Sequence, residues 1–475
     1  MKKNETFTAT IEDLGVGGEG IGKVDGYPLF VKDALPGDVI KGIVTKAGSR
    51  YGYGRLTEIL KPSPDRVEPR CPAARSCGGC TLQHLSYEGQ LRYKEKKVRD
   101  CLTRIGGIDL TQVEWLPILG MSDKAASISM ESYYDGAWHY RNKAQFPVRC
   151  DPKGKPVAGF FAGRSHRLIP VTDCDIQHPV IDEVVHCVLA FLQEYKIPPY
   201  DEEKHTGLVR HIYVRRGYHT GQVMVCLVVN ERGRADVLQG KGSELVERLC
   251  EIEGMTSIFL NLNTERTNVI LGPEMILLWG QAHIEDRIGE IRYRISPQSF
   301  YQVNPVQTEK LYATALSFAE LTGTENVWDL YCGIGTISLF LAERAAHVFG
   351  VEIVPEAVEN AKENACLNSI DNVSFVCGAA EEVITDSGQC VDAAGTADVI
   401  VVDPPRKGCD AALLETMVRM APKRIVYVSC DPATLARDVK MLSGKGYEVR
   451  KVRAVDMFPQ GGHVESVVGI QRTHI

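Results

Sequence analysis

Val327-Trp328-Asp329-Leu330-Tyr331-Cys332-Gly333-Ile334-Gly335-Thr336 is an apolar run that breaks into a glycine-rich turn. The run reads as a buried strand. Gly333 and Gly335 let the backbone approach a ligand closely before a helix begins. The next strand, Val348-Phe349-Gly350-Val351, ends in Glu352. An acid about 20 residues past such a turn can reach ribose hydroxyls. Two more buried strands follow. Val399-Ile400-Val401-Val402 runs into Asp403-Pro404-Pro405-Arg406-Lys407-Gly408, and Arg424-Ile425-Val426-Tyr427-Val428 runs into Ser429-Cys430-Asp431-Pro432. Across 307–475 strand and helix patterns alternate, which predicts a doubly wound parallel sheet of the Rossmann-like kind. In such a sheet these strand ends share one edge, where ligands bind.

The ligand at that edge is constrained by what is missing. Gly333-x-Gly335 lacks the third glycine of a dinucleotide fingerprint, which disfavours a pyrophosphate. An adenosyl group without one, as in S-adenosylmethionine, suits the turn better. Methyltransferases that act on exocyclic base amines often carry an acid or amide, two prolines and then an aromatic. Here the fourth position is Arg406, which argues against amine methylation and leaves carbon methylation open.

Carbon methylation gives Cys430 a task. C5 of uracil is a poor nucleophile, and addition of a thiolate at C6 makes it enolate-like. A base must then take the C5 proton so that the thiol can leave. Gly461-Gly462-His463-Val464-Glu465-Ser466 supplies Glu465 at a strand start, with His463 as the rival base. On position alone, Cys430 reads more simply as an inert buried thiol and Glu465 as a solvated acid.

The rest of the chain adds accessory modules. The 475 residues are 44% hydrophobic, carry a net charge of −7 and include fifteen cysteines. No apolar span is long enough for a bilayer and no secretory h-region opens the chain, so a cytoplasmic protein with no membrane partner and reduced thiols is expected. Residues 1–220 hold 31 Lys and Arg against 27 Asp and Glu, whereas 221–475 hold 23 against 34. A polyanion would therefore sit on the first half. Residues 1–60 show short strands with glycine corners, the pattern of a small barrel. There Lys41, Lys46, Arg50, Arg55 and Lys61 alternate with Tyr51 and Tyr53, which suits a nucleic-acid face or simply a solvated surface. Lys61-Pro62-Ser63-Pro64 reads as a linker. His211–Arg215 and Gln222–Val228 read as a hairpin.

Cys71-x5-Cys77-x2-Cys80 follows the linker, and Cys174 is the best fourth ligand. Spacing alone fits zinc and a [4Fe-4S] cluster equally. A helix at about 87–105 carries Arg92, Lys94, Lys96, Lys97, Arg99 and Arg104, either a solvated face or a set of phosphate contacts. Tyr140-Arg141-Asn142-Lys143 and Arg164-Ser165-His166-Arg167 add donors. The remaining cysteines, Cys390 among them, read as core or incidental thiols.

Taken together, Asp-Leu-Tyr-Cys-Gly-Ile-Gly, Asp-Pro-Pro-Arg-Lys-Gly, Val-Ser-Cys-Asp-Pro-Ala-Thr and His-Val-Glu-Ser stand in the order seen in RNA uracil-5-methyltransferases. Ser296–Asn304 also resembles that family's entry into its catalytic domain, and residues 1–60 are similar to a TRAM domain. The resemblance implies a TRAM barrel at 1–60, a central α+β domain with an iron–sulfur cluster at 61–290, and a methyltransferase domain at 291–475. It implies Cys430 as nucleophile, Glu465 as proton acceptor, and Gln302, Tyr331, Glu352 and Asp403 as S-adenosylmethionine contacts. It makes Cys71, Cys77, Cys80 and Cys174 the ligands of a [4Fe-4S] cluster. Thr336 stands where some members have Asn. Barrel and cluster together resemble the ribosomal branch, so the expected partner is 23S rRNA, with a flipped uridine and a monomeric enzyme. The rivals are a tRNA T-loop uridine enzyme, expected to lack one or both modules; an iron–sulfur redox protein; and a non-catalytic RNA-binding factor.

Overall fold

A computed structural model describes residues 1–121, 136–163, 165–231, 238, 240–386 and 397–473; Arg164 and Cys390 lie outside the described residues. Thr6–Leu14 alternates exposed and buried side chains over its first seven residues, as a barrel wall requires. It pairs with Gly20–Val24 on one side and Val39–Ala47 on the other. With Tyr27–Lys32 and Gly52–Lys61 these strands close into the expected five-stranded barrel. Phe7, Ile11, Leu29, Val31, Ile40 and Val44 fill it. The Phe7 ring lies against Gly42 and Gly54, where any Cβ would overlap it.

A seven-stranded sheet follows, in the order Glu274–Gly280, Met255–Leu262, Val223–Val229, Val209–Arg216, Lys143–Cys150, Pro156–Phe161, Leu168–Pro170. The hairpin read from sequence is present as Val209–Arg216 against Val223–Val229. Every residue of Val223–Val229 is buried, because both faces of the sheet are covered. Helices Pro179–Glu194 and Gly242–Cys250 cover one face. On the other, Tyr213, Met224 and Phe259 pack in one cluster with Tyr293, Tyr301 and Val426 of the C-terminal half. The hairpin Ile284–Ile288/Ile291–Ile295 lies in the same cluster, and the expected division at 290/291 passes through its turn.

The C-terminal sheet has eight strands, in the order Val373–Cys377, His347–Glu352, Asn326–Asp329, Val399–Val402, Arg424–Ser429, Glu465–Arg472, Tyr447–Val455, Glu114–Leu119. Only Glu465–Arg472 runs antiparallel to its neighbours. The chain works outward from Asn326–Asp329 and then returns to its other side at Val399–Val402. That reversal is the topological switch point, where a crevice opens beyond the strand ends. Glu114–Leu119 adds the far edge, parallel to Tyr447–Val455; the sequence reading had no strand there.

Helix Tyr87–Arg104 joins these bodies, and its cations divide between the solvated face and the interior. Lys94 is fully buried and paired with Asp456, which also accepts from the Tyr87 hydroxyl at 2.8 Å. Lys97 donates to the carbonyls of Gly462 and Val16. Lys96 bridges Asp13 and Asp100, Arg92 meets Asp65, and Arg99 lies 4.1 Å over the Trp115 ring. The Tyr93 hydroxyl holds the Gly15 and Val16 carbonyls of the barrel. Lys94 and Lys97 are thus turned inward while Arg92, Lys96, Arg99 and Arg104 stay exposed, and this one helix touches the barrel, the linker and the loop that leads to Glu465. Among the described residues no helix is long and apolar enough to cross a membrane.

Candidate active site

The register of two strands sets the centre of the site. Ser429 pairs with Ser466, so Cys430, one step on, comes level with Glu465, one step back. In the parallel direction Val402 pairs with Tyr427, which brings Asp403 to the same edge. Cys430 also stands immediately before helix Pro432–Ser443, whose Asp431 cap accepts from the Ala433 and Thr434 amides. Ser429 Oγ accepts from the Asp431 amide at 3.1 Å and fixes the turn. A helix N-terminus favours a thiolate beside it.

The charges around Cys430 pull in both directions. Burial, then the Glu465 and Asp403 carboxylates, push its thiol up to about 11, while the Arg406 guanidinium opposes them. Glu465 is 3% exposed. Burial and the nearby Asp403 raise its carboxyl well above the ordinary range, again against Arg406. Asp403 is pushed up to about 7 by burial and by Asp329. Three acids and one guanidinium therefore share the edge, and burial favours the protonated form of each acid. His463 is exposed, edge-on to Phe458 with ring centroids 6.2 Å apart. Partial burial and the cations Arg406, Lys97 and Lys94 hold its pKa below the usual value.

The glycine turn is built from the strand end. Asp329 is fully buried and accepts from Ser338 Oγ at 2.6 Å. Gly333 and Gly335 both have positive φ, 54° and 83°. Glu352 accepts from the Gly333 amide at 3.1 Å and from the Val354 amide at 2.9 Å. Space is open where a Gly333 side chain would be, and the apolar side chains of Ile353 and Val354 stand exposed beside Glu352. That set fits S-adenosylmethionine: an acid for ribose, an aliphatic surface for adenine, a bare backbone between. Gln302 is buried, and its carbonyl accepts from Asn142 Nδ2 at 3.0 Å. Asn304 caps the next helix, Pro305–Ala319, and donates to the Met457 carbonyl, which ties this segment to the loop before Glu465. Tyr331 is half-buried with its hydroxyl turned to Cys409. Thr336 accepts from the Tyr312 and Tyr293 hydroxyls, both at 3.0 Å.

Tyr312 lies within electrostatic reach of Asp403, Asp329 and Glu465, and no sequence signal marked it. It sits two turns into a helix whose composition reads as ordinary core. Arg406 was legible only as a missing aromatic, because its role depends on two strands that meet in space.

Cys77 and Cys80 come from one loop with Cys71, and Cys174 from another; the thiols act on one another electrostatically. The Cys71 amide donates to Gln83 Oε1, and the Gly78 amide to the Phe161 carbonyl. Four thiols and no carboxylate is a donor set suited to iron–sulfur or zinc chemistry. Among the described residues no three His, Cys, Asp or Glu side chains are grouped to hold a single ion.

A doubly wound sheet with an acid-ended second strand, a glycine turn and a thiol–carboxylate pair at the switch-point edge defines an S-adenosylmethionine-dependent methyltransferase. The chain belongs to the tRNA (uracil-5-)-methyltransferase family, whose model matches residues 121–473, and a TRAM domain matches residues 2–57. It is an S-adenosylmethionine-dependent RNA (uracil-C5) methyltransferase. An uncharacterized RNA methyltransferase of Halalkalibacterium halodurans is 50% identical over 473 residues, 99% of this chain and 98% of that one. One from Listeria innocua is 47% identical over 467 residues, with 98% of each covered. The crystal structure of Pyrococcus abyssi tRNA (uracil-54, C5)-methyltransferase with S-adenosyl-L-homocysteine matches with a TM-score of 0.74 at 29% identity, covering 98% of this chain and 99% of that one.

Proposed function

We propose that this enzyme methylates C5 of a uridine in 23S rRNA through a covalent bond between Cys430 and C6. The register that sets Cys430 level with Glu465, beside Asp403, carries the reading. Bound at the glycine turn, S-adenosylmethionine supplies the methyl group; Gln302, Tyr331, Glu352 and Asp403 hold it. The Cys430 thiolate adds to C6 and moves the ring's electron pair to C5, which takes the methyl carbon as the S–CH3 bond breaks, its pair staying on sulfur in the departing S-adenosylhomocysteine. Glu465 accepts the C5 proton. The C6–S bond then breaks, the double bond returns and the thiolate is released. Glu465 is favoured over His463 because it is buried at the same level as Cys430.

Cys71, Cys77, Cys80 and Cys174 hold a [4Fe-4S] cluster, which no step of the transfer uses. The family resemblance and four thiols that act on one another electrostatically support that assignment. The ribosomal target follows from the resemblance of barrel and cysteine set to that branch. The T-loop of tRNA is the second reading, favoured by the Pyrococcus match along the whole chain.

One experiment tests both. The protein is incubated with labelled S-adenosylmethionine and unmodified 23S rRNA or tRNA, and the methylated base is mapped. Label in rRNA uridine is expected; label in tRNA alone selects the second reading, and label on cytosine overturns both. Cys430→Ala should abolish turnover and adduct, and Glu465→Gln should let the RNA adduct accumulate. A Cys430→Ala protein that still methylates sinks the mechanism.

A further inference from the structure

Three cations stand together at the end of a central-sheet strand pair, and among the described residues no carboxylate acts on Lys143. Lys143 and Arg215 are paired across adjacent strands, and Arg141 lies two residues before Lys143. Side chains alternate along a strand, so Lys143 shares a face with Gln145 and Arg215 shares one with Tyr213. Tyr213 belongs to the cluster packed on the catalytic domain. Lys143 therefore faces that domain.

The surroundings join this spot to the catalytic cleft. Arg215 is 2% exposed and donates to the Ser296 and Ser299 carbonyls at 3.0 and 2.8 Å. Asn142, between Arg141 and Lys143, holds the Gln302 carbonyl, and its amide donates to the Val303 carbonyl. Phe300, in the same loop, is 65% exposed. Arg141 faces Tyr140 and Cys80. Both Arg141 Nε and Arg215 Nε are buried without a hydrogen-bond partner. Burial and the two guanidiniums press the Lys143 ammonium down to about 7, with no carboxylate opposing them among the described residues. Lys94, by contrast, has Asp456 as its counter-charge. An unanswered buried cation is costly, and the charge an RNA brings is negative.

We infer that Lys143, flanked by Arg141 and Arg215, forms a recess for one backbone phosphate of the RNA next to the flipped uridine, and that Lys143 is a substrate-positioning residue. This rests on the reading of the cleft beside Gln302 as the place where the uridine is methylated. A phosphate supplies the missing charge at the moment of binding and fixes the strand's register without reading its sequence.

The test compares the parent protein with Lys143→Met and Lys143→Arg, on whichever unmodified transcript accepts methyl label, with S-adenosylhomocysteine as the cofactor probe. Lys143→Met should raise KM for RNA about tenfold and reduce the slope of log KM against log salt by about one. Its effect should fall on KM rather than kcat, leave the S-adenosylhomocysteine Kd unchanged and not lower Tm. Lys143→Arg should recover most of the RNA affinity. An unchanged KM and salt slope overturns the inference. So does a weakened S-adenosylhomocysteine Kd, which assigns the recess to the cofactor's carboxylate. A Tm loss in both variants also overturns it and makes Lys143 structural. Cys430→Ala, measured for RNA binding alongside, should keep the parent salt slope. If that variant still turns over, the nucleophile is misassigned while the phosphate recess is judged on its own slope.

Discussion

Arg406 opposes both raised acids at the reacting edge, and its position gives the pH dependence a sign. A thiol at about 11 is almost wholly protonated at pH 7, and each pH unit upward gives about tenfold more thiolate. Glu465 must also be ionised to accept a proton, and its raised value moves the same way. The free-enzyme kcat/KM should therefore climb from pH 6 to 9 with no falling limb from either group. Arg406→Gln removes the stabilisation of both anions, so kcat/KM should fall about tenfold through the range in which the thiol stays protonated in both proteins. A variant with the parent kcat/KM would remove Arg406 from this role.

At the scale of elements, helix Tyr87–Arg104 decides where Glu465 sits. Its Lys94 meets Asp456, its Lys97 holds the Gly462 carbonyl, and Gln90 exchanges hydrogen bonds with Gln460 at 2.9 and 3.0 Å. Breaking a buried pair by removing one partner costs about 3–5 kcal/mol. Lys94→Met should lower the melting temperature by about 3–5 °C and reduce methyl transfer, while Lys94→Met with Asp456→Asn should recover most of the stability in a thermal scan. This helix also marks the limit of the sequence reading. Its span was legible from charge and periodicity, but the burial of Lys94 was not, because its partner lies 362 residues away. The parallel strands and their ends were legible because each ends abruptly at Gly, Pro or Asp. Glu114–Leu119 was not, since its half-exposed pattern gives no period. The cation recess was hidden for the same reason as Lys94: a pairing between distant strands creates it.

Across the whole molecule, the cysteine loop lies where barrel and central sheet meet. Lys32 of the barrel donates to the Arg75 carbonyl at 3.3 Å, and Gly78 is bonded to Phe161 of the central sheet. A cavity of about 360 Å³ between them is lined by Phe30 and Tyr53 of the barrel and by Cys77 and Cys80. A cluster held there would couple these two bodies. Protein purified without oxygen should be brown. Cys77→Ser should bleach it, lower its melting temperature and weaken RNA binding, while S-adenosylhomocysteine affinity stays at the parent value. Colourless parent protein with stoichiometric zinc would replace iron–sulfur by zinc.

The far edge of the catalytic sheet has a consequence for how the chain is made. Leu116 pairs with Arg453, and the Pro117 carbonyl accepts from Arg453 across 336 residues. At about 5–20 residues per second, the ribosome delivers the partner strand roughly 20–70 s after the first. Through that interval Glu114–Leu119 waits as an unpaired strand while the whole central domain is synthesised and folds. The catalytic sheet is therefore completed only after release of nearly the entire chain, and a nascent protein stalled before residue 447 has no finished active site.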